Sequence, residues 1–429
     1  MPSTGYTPRR GPRDDALHVV HPRAAGLDIH KMQITATVRR CRRDGRTPAE
    51  TRQFGTAPGD LRSLCQWLLA EGVSAAAMEG TGIFWQAPFE ALEDAGIEPL
   101  LYHARFVKQI KGRKSDISDS RWLARICQFG LCQPSYVPSR AYRQLRQLSR
   151  YRRKLVGERS RARNRVHKTL DHEGLRLGGA LSDIFGTNGR RILDGLAAGH
   201  SRGRILASLS GHVRRKRALL EAILEARLDA CAVWKLGDLL RAHDAACRSI
   251  EELDRLLEAG LAGSEERIRL LETVPGVDRG SACAILAELG EDLAAFRSAG
   301  HVAAWAGLAP GSNESAGKRR SARVRRGNPT LRATLAECAH GAVRTKGTQF
   351  HSFHKAHVGR LGYKRALLAT AHKLLRTILA MLRDSQPYRD PGVDYEALVV
   401  SRNASRWLAK LEHYGYLERM RSEPTAAAA

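Results

Sequence analysis

The sequence predicts an α/β domain at the N-terminus, then a long helical segment, then a mainly α-helical C-terminal part. Three observations predict it. Between residues 24 and 138, short apolar runs alternate with runs of helical spacing. After Pro138, proline is absent from 139–174 and Gly157 is the one glycine before Gly174. Beyond residue 264, apolar periods of helical type are punctuated by Pro-Gly and Asn-Pro.

The elements follow in order. "AAGLDIHK" and "QITATVRR" read as adjacent strands, with "TRQFGT" a third. "GDLRSLCQWLLAEG" has helical spacing, "SAAAME" is a short strand ending in an acid, "GIFWQAPFEALEDAG" is helical and "IEPLLYH" is a strand. "SRAYRQLRQLSRYRRKLVGERSRARNRVHKTLDHEG" (139–174) is a single long helix whose Leu145, Leu148, Leu155, Val166 and Leu170 form a narrow stripe. Residues 175–203 are loops around a short helix, and 205–259 is helical-hairpin or coiled-coil material. "EERIRLLETV", "PGVD" and "RGSACAILAELG" form a helix hairpin. Its turn could present backbone N–H groups to a phosphate or could be plain packing. Helices follow "GNP" and fill 361–383, and "SEPTAAAA" should fray.

Charge narrows the function. Lys plus Arg number 71 against 44 Asp plus Glu, a net charge of +27. Such an excess suits a polyanion, and the dominance of Arg over Lys favours phosphate in nucleic acid over a membrane surface. No run is apolar enough to span a bilayer: "ALLATAHKLLRTILAML" carries His372, Lys373 and Arg376. The N-terminus lacks a signal-peptide core, and the scattered cysteines include no C-x-x-C pair. A cytoplasmic protein is expected.

Four acids stand out. Asp28 sits among apolar neighbours on a strand, where a carboxylate is costly unless paired or cation-bound. Glu79 ends "AAAME", and Asp116 and Asp119 share a face at a helix start, where capping alone would also place them. If they converge, four oxygen ligands suit Mg²⁺. Two such ions roughly 4 Å apart serve phosphodiester chemistry. At the other end, "SNESAGKRRSARVRRGN" (312–328) sets Ser312, Ser315 and Ser321 among Lys318, Arg319, Arg320, Arg323, Arg325 and Arg326. These cations, with Arg146, Arg150, Arg152, Arg153, Lys154, Arg161, Arg163 and Arg165 of the long helix, are the candidate nucleic-acid contacts. "HSFHKAH" reads as a basic helix face, Trp305 as a core anchor, and Cys127 and Cys132 as packing.

"GLDIHK", "MEGTGIFW" and "KSDISDSRWLARI" resemble the successive acidic motifs of the DEDD transposases of bacterial insertion sequences, the one-ten and eleven-eleven group. The resemblance continues in order through "LLETVPGVDRGSACAILAELG" and "FRSAGHVAAWAGLAPGSNESAGKRRSARVRRGNPTLRATL", spanning about 24–385. It implies a RuvC-like, RNase H-fold domain at 21–138, between a basic arm (1–20) and a helical or coiled-coil region (139–260). A serine-bearing transposase domain (261–385) and a helical tail (386–429) would follow. It implies that Asp28, Glu79, Asp116 and Asp119 hold metal and that Ser315 is the nucleophile, although Ala316 stands where the family has glycine. It further implies donor and target DNA, a structured non-coding guide RNA, a dimer or tetramer, and association with the bacterial nucleoid during activity. The other readings are a RuvC-like junction nuclease with no covalent step and an inactive nucleic-acid-binding descendant.

Overall fold

The computed structural model describes residues 18–41, 47–80, 82–104, 115–226, 228–311, 313–315, 318–321, 324 and 327–422, with the backbone alone at 212, 214, 313–315, 318–321 and 420–422. Most of the expected basic arm, and Ser312, Arg323, Arg325 and Arg326, therefore lie outside the described residues. The chain forms two compact units, Met1–Arg140 and Ala141–Ala429.

The first unit is built on a five-stranded mixed sheet in the order β3-β2-β1-β4-β5. Strands β1 (Arg23–Ile29), β2 (Ile34–Arg40) and β3 (Ala49–Phe54) are antiparallel neighbours, while β4 (Ala75–Glu79) and β5 (Glu98–Tyr102) run parallel to β1. Alternation along β1 sends Ala25 and Leu27 to one face and Ala24, Gly26 and Asp28 to the other. On the first face, Leu27, Ile34, Val38 and Met78 pack with Leu64 and Leu68 of α1 (Pro58–Ala70) and Phe89 and Leu92 of α2 (Gln86–Asp94). On the second, Ala24, Ala75 and Ala77 meet Leu123, Ile126 and Cys127 of α3 (Asp116–Phe129). Helices cover both sheet faces, which fits an α/β RNase H-like domain.

Small residues on the α3 face matter. A Cβ on Gly26 would lie 2.2 Å from the Ser120 carbonyl oxygen and from the Ala124 amide nitrogen. The α3 backbone therefore rests directly on the central strand, and only glycine permits it. Buried Thr37 fixes the same contact through a 2.8 Å hydrogen bond to Ser120 Oγ.

The second unit begins with α4 (Arg140–His172). Short helices follow: α5 (Thr187–Ala197), α6 (Arg202–Ala207) and α7 (Arg217–Ile223). Next comes α8 (Ala230–Gly260). Within 205–259, a 3-10 turn at Gly211–Lys216 and α7 precede Asp229, which caps α8. Leu155 of α4 packs with Ile250 and Leu253 of α8, and Val166 and Leu170 share a core with Leu236, Leu239 and Leu240, so the two long helices run antiparallel.

Helices α9 (Glu265–Glu272) and α10 (Arg279–Leu289) flank "PGVD" and are followed by α11 (Ala299–Trp305). A small ribbon, β6 (Asn313–Ser315) with β7 (Lys318–Ser321), precedes α12 (Pro329–Ala342). Helices α13 (Gln349–Leu361), α14 (Tyr363–Asp384), α15 (Tyr395–His413) and α16 (Tyr416–Ser422) complete the chain. Among the described residues no helix is long and apolar enough to cross a membrane.

Candidate active site

The acids of the first unit are set by sheet register. Leu27 pairs with Met78 across the parallel β1–β4 ladder, so the next residues, Asp28 and Glu79, sit at the same level at the carboxyl ends of adjacent strands. Both fall on the face covered by α3. Ser115 caps α3, accepting a 3.2 Å hydrogen bond from the Ser118 amide, so Asp116 and Asp119 occupy the first helical turn. Because Gly26 lets α3 lie against β1, that first turn comes over the end of the strand.

Asp28 and Asp116 meet at His30, a residue that the acidic-motif reading passed over. His30 Nε2 lies 3.3 Å from Asp28 Oδ2 and 3.5 Å from Asp116 Oδ1. Ligand atoms of Asp28, His30 and Asp116 all fall within 4.8 Å of one another, a spacing that one metal ion can span. Burial raises the Asp28 carboxyl above its ordinary range; the His30 charge opposes this, and the Asp116 and Asp119 charges add to it. A carboxylate held half out of water near like charges is what a divalent cation relieves, so the donor set fits a hard cation. The signal for His30 was present in "GLDIHK": two residues beyond Asp28 on a strand is the same face.

The serine lies in the second unit. Ser315 ends β6 and pairs with Lys318, while Glu314 pairs with Arg319. Its tip position is therefore a matter of backbone register. A bridge between Pro310 and Val324 closes the ribbon below it. Lower still, the Asn328 amide donates to the Trp305 carbonyl at 2.8 Å.

The cations expected to meet nucleic acid divide into two groups. Arg150 forks onto both oxygens of Glu288 at 2.7 and 2.9 Å, and Arg146 reaches the Glu288 and Ala287 carbonyls. Arg152 pairs with Asp254, Arg153 with Glu337, and Arg163 with Asp183 at 2.7 Å. These five pin α4 to its own unit. The sequence showed few acids within the helix; the partners come from remote segments. Lys154 and Arg165 are exposed, and Arg161 is exposed 3.8 Å from Glu158. The turn between α9 and α10 is likewise used for packing. A Cβ on Gly276 would lie 2.3 Å from the Cys338 carbonyl oxygen, so the turn presses on α12.

Residues 25–173 match the family model described as DEDD_Tnp_IS110, transposase, and residues 268–355 match that of the Transposase IS116/IS110/IS902 family. The chain belongs to the IS110 family of transposases. The first match takes in the acid cluster and the second takes in Ser315, in the family's order. An IS110-family transposase is an enzyme acting on DNA, and the family suggests divalent-metal use. No curated protein matches the chain.

Proposed function

We propose that this transposase moves its insertion sequence by cutting and rejoining DNA through a covalent ester on Ser315, supported by Mg²⁺. The single observation that carries the metal half is the convergence of Asp28 and Asp116 within ligand distance, at the level of Glu79 and beside Asp119. Those four acids would hold the ions, two per site. Bound there, Mg²⁺ supplies Lewis-acid stabilisation of charge on the phosphate and strand oxygens.

The serine half rests on register and charge. Ser315 Oγ attacks the scissile phosphorus, the P–O bond to one strand oxygen breaks, and that oxygen leaves with a proton. The new serine–phosphate ester conserves the bond energy for rejoining. Serine is a weak nucleophile without a proton acceptor. Its neighbours Lys318 and Arg319 are cations, suited to gripping phosphate but not to taking a proton. We therefore assign proton removal to a group outside the ribbon, and the acid cluster to the same Mg²⁺-dependent reaction. Lys154, Arg161 and Arg165 form a backbone-contacting surface for nucleic acid, including a structured guide RNA that supplies sequence choice. Handling two duplexes calls for a dimer or tetramer.

The test is adduct trapping. Wild-type protein with donor DNA, guide RNA and Mg²⁺ should yield a denaturant-stable protein–DNA species that Ser315→Ala cannot form. Strand cleavage without any such species would instead mark a hydrolytic nuclease.

A further inference from the structure

Glu288 is fully buried at the end of α10, yet it is a carboxylate in an apolar run, "AILAELG". Its two oxygens are filled with donors. Arg150 Nε donates to Oε1 at 2.7 Å, Arg150 Nη2 to Oε2 at 2.9 Å, and Asn328 Nδ2 to Oε2 at 2.6 Å. Arg146 Nε lies 3.6 Å from Oε2 while its guanidinium holds the last carbonyls of α10. A buried ionic cluster adds little stability over a well-packed apolar one, so its place in the fold is the more informative fact.

That place is the base of the serine-bearing ribbon. Asn328 is the N-cap of α12, the first helix after the ribbon. Its Oδ1 caps α12 by accepting from the Thr330 and Leu331 amides, both at 3.1 Å, leaving Nδ2 for Glu288. Its amide ties the exit of the ribbon to Trp305, at the entrance. Gly327 meets Gly307 so closely that a Cβ would lie 2.3 Å from the Gly307 nitrogen. Trp305 in turn stacks under Arg146, 5.4 Å from the ring centroid. Both ends of the ribbon are thus fastened to one carboxylate and its arginines.

A two-stranded ribbon is marginal by itself, so its orientation must come from its base. From Pro310 to Ser315 the extended chain spans at most about 17 Å, so a tilt of roughly 5° at the base moves the tip by about 1.5 Å. A misplacement of that order is enough to slow a reaction about a hundredfold. We propose that Glu288 is a positioning residue for the reaction: it locks the base of the ribbon to α4 and thereby fixes where the ribbon holds Ser315. This rests on the reading of Ser315 as nucleophile. It requires an acceptor at both oxygens, because an amide there would set a donor against Arg150 or Asn328.

The test uses the full chain with its DNA, guide RNA and Mg²⁺. Two variants are compared with wild type: Glu288→Gln, and Asn328→Ser, which keeps an N-cap for α12 and leaves the arginine–carboxylate cluster whole. Hydrogen exchange of segment 306–331 is followed by mass spectrometry, and adduct formation is followed as a function of DNA concentration. Both variants should speed exchange in 306–331 and slow adduct formation at saturating DNA by about tenfold or more, with the half-saturating DNA concentration unchanged. If Glu288→Gln fails to fold, Asn328→Ser decides. Wild-type exchange together with wild-type rate in Asn328→Ser overturns the proposal while leaving Ser315 in its role. Faster exchange in 306–331 with adduct formation unaffected by Ser315→Ala overturns the Ser315 reading, and with it the positioning of a nucleophile, while leaving the clamp.

Discussion

Asp28 and Glu288 look alike in sequence, each an acid inside an apolar run, and their surroundings differ in one respect: the source of positive charge. Glu288 is buried with two arginines of its own chain and an asparagine amide. Asp28 has a histidine beside it and two further acids near it, and its carboxyl is raised as a result of burial and those like charges. A carboxylate whose cations are built in holds a structure together. One whose neighbours are acids has room for a cation from solution.

Removing the charges should separate the two most sharply. Glu288→Ala removes the one buried carboxylate that half-exposed Arg150, part-buried Arg146 and the Asn328 amide share, and should cost about 2–3 kcal/mol in denaturant unfolding of the second unit. Asp28→Asn should act in the opposite direction without metal. Because the folded-state pKa of Asp28 is raised, its protonated form favours folding; that contribution is complete below the ordinary carboxyl range and is lost as pH rises through the raised value. At neutral pH the Asn variant should therefore melt higher than metal-free wild type, and the difference should close as the medium is acidified. Mg²⁺ should raise the melting temperature of wild type and not that of the variant. Equal melting of the two at neutral pH would remove the contrast.

Between these in size lies the contact that assembles the acid cluster. Gly26→Ala forces a methyl into the α3 backbone and should cost about 1–3 kcal/mol. It should also weaken Mg²⁺-dependent stabilisation, since α3 carries Asp116 and Asp119. The smallest stability effects belong to the outward cations. Lys154→Ala and Arg165→Ala should change stability by less than about 0.5 kcal/mol. Each should lower the salt slope of nucleic-acid binding by about 1. Arg152→Ala should do the reverse, costing stability through Asp254 and leaving the slope unaltered.

Much of the first unit was legible because its signals are local. Period-two alternation, an acid closing "AAAME" and Ser115 before an apolar helical period place strands, acids and helix start without reference to anything distant. In sequence the arginines of α4 look like a polyanion surface because Glu158 is almost the only acid among them before Asp171. Their partners Asp254, Glu288 and Glu337 are 102, 138 and 184 residues away. No local rule pairs such residues. Glu288 carries the same mark as Asp28, an acid where apolar residues belong, and nothing local to "AILAELG" names its partners. His30 is hidden for a simpler reason: what stands out in "GLDIHK" is the acid.

On the proposed function, Ser315 and the acid cluster act in one metal-dependent strand transfer. The measurement that tests it most directly is recovery and peptide mapping of the covalent species formed on labelled donor DNA, with and without Mg²⁺. A nucleotide is expected on Ser315 in wild type with Mg²⁺, and none in Ser315→Ala, in Asp28→Asn or after chelation. A nucleotide mapped to another residue, or an adduct that forms undiminished in Asp28→Asn, would contradict it.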